Sequence, residues 1–223
     1  MRLKLREMRP KREKSDGYAM MPYRAVPGFV AELRRQPGIA ALALEFTILS
    51  ASRTGETLGA VWSEFDLDAG TWTIPKARMK AGVEHVVFLP PRAIAICRHL
   101  AQLGEAFVFP SPTLDDKPLS NMGMLTVLRR MGVADRTTVH GFRKSFSTWA
   151  NETGAGRPDV IEACLAHQEN NAVRAAYNRA EFRKERKVLL AAWAEFLDGR
   201  APASNVLEFP EKTAALQQHG SPD

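Results

Sequence analysis

Cysteine is scarce in this chain, which limits the kinds of protein it can be. The two cysteines, Cys97 and Cys164, lie far apart, and neither belongs to a CxxC pair. A disulfide framework or a zinc finger is therefore not expected. We predict instead that both thiols are buried apolar side chains.

Long apolar runs are also lacking. No stretch approaches the roughly 18 consecutive apolar residues that a membrane-spanning helix needs. The first fourteen residues alternate charge with Leu and Met and lack the apolar block of a signal peptide. We therefore expect a cytoplasmic protein without membrane contact.

Motifs for metal and nucleotide binding are absent as well. The sequence has no HExxH motif, no cluster of Asp and Glu, and no Gly-rich phosphate loop of the Walker type. The segment 66–70 has too few oxygen ligands for a calcium loop and predicts a hairpin turn. No metal site is expected.

The positive charge is concentrated at one end. The formal net charge is +6, and residues 1–14, with seven basic and two acidic side chains, account for +5 of it. The basic pI is therefore weak support for nucleic-acid binding by the rest of the chain. A solvated basic arm and a phosphate-binding arm both remain open.

Length and periodicity predict one main domain of the mainly α class with a small antiparallel three-stranded sheet. We divide the chain into a basic arm or linker (1–24), this domain (25–198) and a C-terminal tail (199–223). Ser120 is predicted to cap one helix, and Gly132 and Gly154 to end two. Helices are predicted at 26–35, 39–50, 53–60, 92–103, 121–131, 140–153, 158–166, 171–178 and 180–197. The strands are predicted at 60–67, 70–75 and 84–89.

Several polar residues have spacings that suit the binding of an anion. His140 and Arg143 lie three apart at the start of a predicted helix, where the helix N-terminus adds partial positive charge. Arg53 and Glu56 have the same spacing, and Lys80 lies in a predicted hairpin turn. Taken singly, each is typical of an ordinary helix end, surface ion pair or solvated turn.

The order of these residues along the chain resembles the catalytic domain of the tyrosine recombinases, the phage-type integrases. The resemblance runs from about Met21 to Asp198. Within the family, the chain looks most like the prophage and genomic-island integrases. Its final box is a tyrosine, Tyr177, ten residues beyond a histidine, His167. The five boxes are Ala51-Ser52-Arg53-Thr54-Gly55-Glu56, Arg78-Met79-Lys80, His140-Gly141-Phe142-Arg143, Leu165-Ala166-His167 and Ala176-Tyr177-Asn178-Arg179.

The resemblance implies a site-specific recombinase that cleaves and rejoins DNA through a 3′-phosphotyrosyl intermediate. Tyr177 would be the nucleophile, Lys80 the proton donor to the leaving 5′-oxygen, and His140 the base. The phosphate would be bound by Arg53, Arg143 and His167, with Glu56 orienting Arg53 or a histidine. Further DNA contacts are expected from Arg78, Lys144, Arg174 and Arg179. Since bond energy is conserved, no cofactor is implied.

Two departures from the family pattern shape the expectations. Only about 24 residues precede the catalytic domain, so we expect the usual N-terminal DNA-binding domains to be missing. The usual basic residue of the strand after the hairpin is also missing from His85-Val86-Val87-Phe88. Two alternatives therefore stay open, namely a topoisomerase IB-like nicking and resealing activity and a non-catalytic DNA-binding integrase remnant.

The resemblance also implies partners. The expected ligand is double-stranded DNA carrying attachment sites, and accessory DNA-bending or directionality proteins are expected to assist. A free monomer and a homotetramer formed on DNA synapsis are implied, with the tail segment 206–209 docking on a neighbouring protomer.

Overall fold

The computed structural model describes residues 19–103, 106–167 and 182–200, which fold as a mostly helical domain with one small sheet. The helices are α1 (Val26–Leu33), α2 (Ile39–Ser50), α3 (Thr54–Leu58), α4 (Pro91–Ala101), α5 (Gly123–Arg130), α6 (Gly141–Glu152), α7 (Pro158–Cys164) and α8 (Arg183–Leu197). The strands are β1 (Phe65–Asp66), β2 (Thr71–Ile74) and β3 (His85–Phe88). The mainly α class with a three-stranded sheet is confirmed.

The core is built around α2, whose composition is apolar on nearly every face. Its residues from Ala43 to Ser50 are all buried, and the helix packs against α1, α3, α4, α5 and α8. Trp193 of α8 donates its indole N–H to the carbonyl of Ile48 at 2.9 Å, and its ring centre lies 5.0 Å from that of Trp149 on α6. The C-terminal end of α2 is therefore fixed by α8.

The sheet is antiparallel and ordered β1-β2-β3. Trp72 pairs with Phe65 on one side and Val87 on the other. The predicted hairpin turn is confirmed: Asp66 accepts hydrogen bonds from the backbone N–H groups of Asp68 and Ala69. The predicted first strand, 60–67, was too long, because its first half forms the short 3₁₀ turn Trp62–Glu64 and only two residues pair with β2.

Helix ends follow the glycine signals. Gly132 and Gly154 have φ angles of 68° and 65°, in the left-handed region that a side chain disfavours. The next residues, Val133 and Ala155, donate to Leu128 and Ala150, which closes α5 and α6 with Schellman motifs. Both predicted ends are confirmed.

The predicted cap Ser120 is wrong. The helix begins at Gly123, with Met122 at the N-cap and no side-chain cap. Ser120 instead forms the preceding turn, where its carbonyl accepts from Gly123 and its hydroxyl from Met122. The predicted helix 171–178 lies outside the described residues.

One carboxylate, Glu45, is buried on the far side of α2 at 1% exposure. Arg34 donates to it at 2.6 Å, and Arg92 of α4 donates at 2.8 and 2.7 Å to its two oxygens. Two arginines thus compensate one buried charge and join α2 to α4 and to the end of α1. The predicted burial of both cysteines is also confirmed, and both thiols are free.

Candidate active site

Three chain segments meet above the C-terminal end of α2. The connection from α2 to α3 carries Arg53, the first turn of α6 carries Arg143, and the end of α7 carries His167. The structure thus brings together three of the predicted site residues, the first and last of which are more than a hundred positions apart in sequence.

Arg53 is fixed by the carboxylate of Glu56. Its Nη1 donates to Glu56 Oε1 at 2.7 Å, while its backbone N–H donates to Oε2 at 2.7 Å. Nη2 donates to the carbonyl of Ala166 at 3.2 Å. Since the carboxylate is buried and the arginine side chain is 27% exposed, the guanidinium is held at its base and remains accessible to a ligand.

Arg143 is almost completely enclosed, at 4% exposure. Nη1 donates to the carbonyl of Ala51, and Nη2 donates to that of Leu165 at 2.7 Å and lies 3.5 Å from His167 Nε2. Its Nε has no hydrogen-bond partner among the described residues. An anion would satisfy the donors that remain.

Burial first, and then the nearby charge of Arg53, lower the pKa of Arg143 to about 10. The side chain is still cationic at neutral pH. Two like charges are therefore held close together in a poorly solvated place, an arrangement that becomes favourable when an anion binds between them.

Carbonyl groups at helix ends hold both guanidiniums. Ala51 and Ala166 adopt left-handed conformations, with φ angles of 49° and 48°, just after α2 and α7. At α7, His167 N–H donates to Glu162 and Ala166 N–H to Ala163, so alanine occupies the position that glycine usually takes in a Schellman motif. The turn directs the Leu165 and Ala166 carbonyls toward Arg143 and Arg53, and the partial negative charge of the helix end offsets their repulsion.

A chain of buried hydroxyl groups lies beneath Arg53. Ser52 Oγ is 2.8 Å from both Ser50 Oγ and Thr57 Oγ1, and Thr47 donates to Thr57 at 2.9 Å. These side chains join the end of α2 to α3. They fix the backbone on either side of Arg53, including the Ala51 carbonyl that binds Arg143.

The two histidines of the site differ in environment. His140 is half-buried at the N-cap of α6, and burial together with the charges of Arg143 and Arg53 lowers its pKa. It is therefore neutral at pH 7 and suited to accept a proton. His167 is exposed, and its Nδ1 lies 2.6 Å from Glu162 Oε2, an arrangement that leaves Nε2 facing Arg143.

His85 belongs to the same electrostatic neighbourhood, although in the sequence it stands out only as part of a departure from the family pattern. It is the first residue of β3 and is 9% exposed. Burial first, then the charge of Arg186, lower its pKa to about 4, with Arg143 and Arg53 adding to this effect and Glu56 opposing it. No sequence signal marks it, because its proximity to the arginines arises only in the folded protein.

Lys80 lies exposed in the turn between β2 and β3, as predicted from the sequence. Arg78, in the same turn, donates to the carboxylate of Glu64 and to the carbonyl of Glu56, so it ties the turn to α3. Lys144 is half-buried on α6, next to Arg143. The predicted DNA contacts of Arg78 and Lys144 stay predictions. Tyr177, Arg174 and Arg179 lie outside the described residues.

Within the described residues, no group of three or more His, Cys, Asp or Glu side chains could hold a metal ion. In the same part of the chain, no helix has both the length and the apolar character needed to cross a membrane.

Comparison with known proteins shows which family has a similar sequence. The model of the phage integrase family matches residues 26–184. Prophage integrase IntA of Escherichia coli K12 is 38% identical over 162 residues, which cover 72% of this chain and 39% of the relative. Prophage integrase IntZ of the same organism is 36% identical over 183 residues, covering 81% and 45%. The chain thus spans less than half the length of either relative.

Solved structures show the same fold. The integrase from mycobacterium phage Brujita superposes with a TM-score of 0.60 at 20% identity, covering 82% of this chain and 60% of that one. XerA recombinase gives a TM-score of 0.54 at 16% identity, covering 74% and 64%. At these identities the likeness concerns the fold alone.

Proposed function

Because the chain belongs to the phage integrase family, we propose that it carries the catalytic domain of a site-specific DNA recombinase. This domain cleaves and rejoins a DNA strand through a 3′-phosphotyrosyl intermediate, for the integration or excision of a prophage or genomic island. The observation that supports the proposal best is the convergence of Arg53 and Arg143, each fixed by protein groups yet still offering donors to an anion.

The two guanidiniums bind the non-bridging oxygens of the scissile phosphate. Guanidinium groups suit this task because their planar N–H donors match two oxygens at once. The carbonyls of Ala51, Leu165 and Ala166 hold them before the substrate arrives. Such fixed charges stabilise the phosphorane transition state without reorganising during the reaction.

The covalent step exchanges one phosphodiester bond for another. The hydroxyl oxygen of Tyr177 attacks phosphorus, and the bond to the 5′-oxygen breaks. His140, neutral at pH 7, accepts the phenolic proton, and Lys80 donates a proton to the departing 5′-oxygen. His167, with Nδ1 donating to Glu162 and with both ring nitrogens protonated, donates a further hydrogen bond from Nε2 to the phosphate. Rejoining reverses these steps.

The remaining predicted residues bind or support the DNA. Glu56 keeps Arg53 in place through its two hydrogen bonds. Backbone phosphates of the duplex are contacted by Arg78, Lys144, Arg174 and Arg179, a contribution that weakens as salt concentration rises. The protein acts in the cytoplasm on double-stranded attachment sites, as a free monomer that assembles into a tetramer when two sites are paired, with accessory DNA-bending or directionality proteins.

The direct test is covalent trapping on a suicide duplex, nicked close to the cleavage site so that the released strand is lost. The unmodified chain should form a protein–DNA adduct that survives denaturing electrophoresis, and Tyr177→Phe should form none while binding the duplex with similar affinity. Tyr23→Phe is the matched control, because Tyr23 is a buried residue that accepts a hydrogen bond from Arg24. An adduct that persists in Tyr177→Phe would refute the role of Tyr177.

The same assay separates this proposal from its alternatives. No adduct from the unmodified chain at any protein concentration would indicate a DNA-binding remnant without catalysis. An adduct together with relaxation of supercoiled DNA, but no exchange between paired attachment sites, would indicate nicking and resealing of the topoisomerase IB kind.

A further inference from the structure

Arg186 is a buried arginine of α8 that contacts β3. This strand follows the lysine turn, which is the segment 79–84 that carries Lys80. It is 6% exposed. Its Nη2 donates to the carbonyl of Val86, and its guanidinium carbon lies 5.5 Å from the centre of the Phe88 ring. Both partners belong to β3, whose N-terminal end is connected to Lys80 by only four residues.

The contact with Val86 replaces a strand pairing. Among the residues that the structure describes, β3 pairs only with β2, so its other side is an edge of the sheet. A carbonyl at such an edge, covered by a helix, requires a donor, because an unsatisfied buried carbonyl costs about 1–3 kcal/mol. Arg186 supplies that donor from α8 and thereby fixes the far side of β3.

The other leg of the hairpin is also held by an arginine. Arg78, at the end of the 3₁₀ turn Lys76–Arg78, is bound to Glu64 and to the carbonyl of Glu56. Between Met79 and Glu84 the backbone has no regular secondary structure. The location of Lys80 therefore depends on how the two flanking legs are anchored.

Arg186 also reaches toward the arginine-binding end of α7. The charge of Arg186 acts on Cys164, the last residue of α7, where it opposes the rise that burial gives to the pKa of the thiol. The next two residues, Leu165 and Ala166, provide carbonyls to Arg143 and Arg53. One guanidinium thus contacts β3 and lies near the segment that holds the phosphate-binding arginines.

We infer that Arg186 is a positioning residue, which fixes the position of the lysine turn with respect to Arg53 and Arg143. It does not touch the reacting atoms. It acts through β3, so its loss displaces Lys80 and weakens protonation of the leaving 5′-oxygen. This inference rests on the proposed function, which assigns that proton transfer to Lys80.

The first experiment compares Arg186→Met with Arg183→Met by single-turnover adduct formation on the nicked duplex. Arg183 is the matched control, because it lies on the same helix over the same Phe88 ring, at 5.7 Å, but is exposed. Arg186→Met should slow cleavage about 10- to 100-fold, as displacing a catalytic group by about 1 Å does. Arg183→Met should stay within about twofold of the unmodified chain.

A substrate with a 5′-bridging phosphorothiolate identifies the route of the effect. Its thiolate leaves without a proton, so Arg186→Met should recover to within a few-fold of the unmodified chain. A loss of general packing would slow both substrates equally. Equal slowing, or no slowing in Arg186→Met, would overturn the inference.

Hydrogen exchange of the full chain provides a readout that needs no activity. Arg186→Met should exchange the backbone amides of residues 79–88 at least about tenfold faster, with α2 still protected, whereas Arg183→Met should match the unmodified chain. Unchanged exchange in the hairpin would overturn the inference even if no adduct forms, whereas failure of the unmodified chain to form an adduct counts against the proposed function. If Arg186→Met does not fold, Arg186→Lys keeps the charge but loses the planar donor pair and should show the same hairpin-specific increase. An increase spread over the whole domain in that variant would also overturn it.

Discussion

Replacing His85 with asparagine should remove much of the acid sensitivity of folding. Its pKa is lowered to about 4 in the folded protein, because the side chain is buried and faces Arg186 on α8, Arg143 on α6 and Arg53 beside α3, while Glu56 acts in the opposite direction. In the unfolded chain the imidazole titrates near its ordinary value of 6.5. As pH falls below 6.5, the unfolded state therefore binds a proton that the folded state excludes until about pH 4.

The magnitude follows from the two pKa values. Stability rises with pH wherever the unfolded state binds more protons, so the free energy of unfolding falls as pH decreases through this window. The loss attributable to His85 is about 2 kcal/mol at pH 5 and approaches about 3 kcal/mol below pH 4. It is a large part of the roughly 5–15 kcal/mol that stabilises a typical domain.

Urea unfolding at pH 7.5 and pH 5.0 measures this contribution directly. The unmodified chain should lose about 2 kcal/mol more than His85→Asn between the two pH values. Other groups, including His140, whose pKa is also lowered, titrate in both proteins, so the difference isolates His85. His99→Asn, a change at an exposed position of α4, is the control and should keep the pH dependence of the unmodified chain. Equal losses in His85→Asn and the unmodified chain would refute the reasoning.

Three further predictions concern the buried charge, the strained turn and the phosphate site. Glu45→Gln should lower the free energy of unfolding, measured in urea, by about 2–3 kcal/mol, because two arginines lose their buried counter-charge. Glu32→Gln, a change at an exposed ion pair, should alter it by less than about 0.5 kcal/mol. Similar changes in the two variants would contradict this account. Ala166→Gly should stabilise the domain by up to about 1 kcal/mol in the same measurement, since the φ of Ala166 is 48°. Ala163→Gly, inside α7, should destabilise it by a similar amount. A lower free energy of unfolding in both variants would show that Ala166 is not strained. Arg143→Ala should slow single-turnover cleavage by about 10²- to 10³-fold. Cleavage by the unmodified chain should persist in EDTA. A near-normal rate in the variant, or inhibition of the cleavage step by EDTA, would count against a site that binds phosphate with cationic side chains alone.

The sequence predicts the parts of this protein that depend on short-range physics. Helical periodicity located both ends of α1 to α7 to within two residues, and the glycines at 132 and 154 predicted two helix ends because only a residue without a side chain adopts positive φ easily. The ordered boxes around Arg53, Lys80 and His140 indicated the family, which the match over residues 26–184 confirms.

Local preference failed where a nearby alternative competes. Ser120 has the right side chain for a cap, but its own backbone carbonyl already closes a turn with Gly123, so the helix starts later. The strand predicted at 60–67 contains β-favouring residues, yet pairing with β2 extends over only Phe65 and Asp66. Propensity does not report how much of a strand finds a partner.

Tertiary structure alone decided how the candidate site is held. The partners of Arg143 are the carbonyls of Ala51 and Leu165, 92 and 22 positions away, and no residue type reveals which backbone oxygen it will meet. The same applies to Arg186 and Val86, 100 positions apart, and to the lowered pKa of His85, which needs burial and three arginines from different parts of the chain. The sequence by itself determined which chemical groups are available, because side-chain chemistry and helix periodicity are local. Their distances, charge states and supporting contacts were decided by packing, because they depend on groups that only the folded chain brings together.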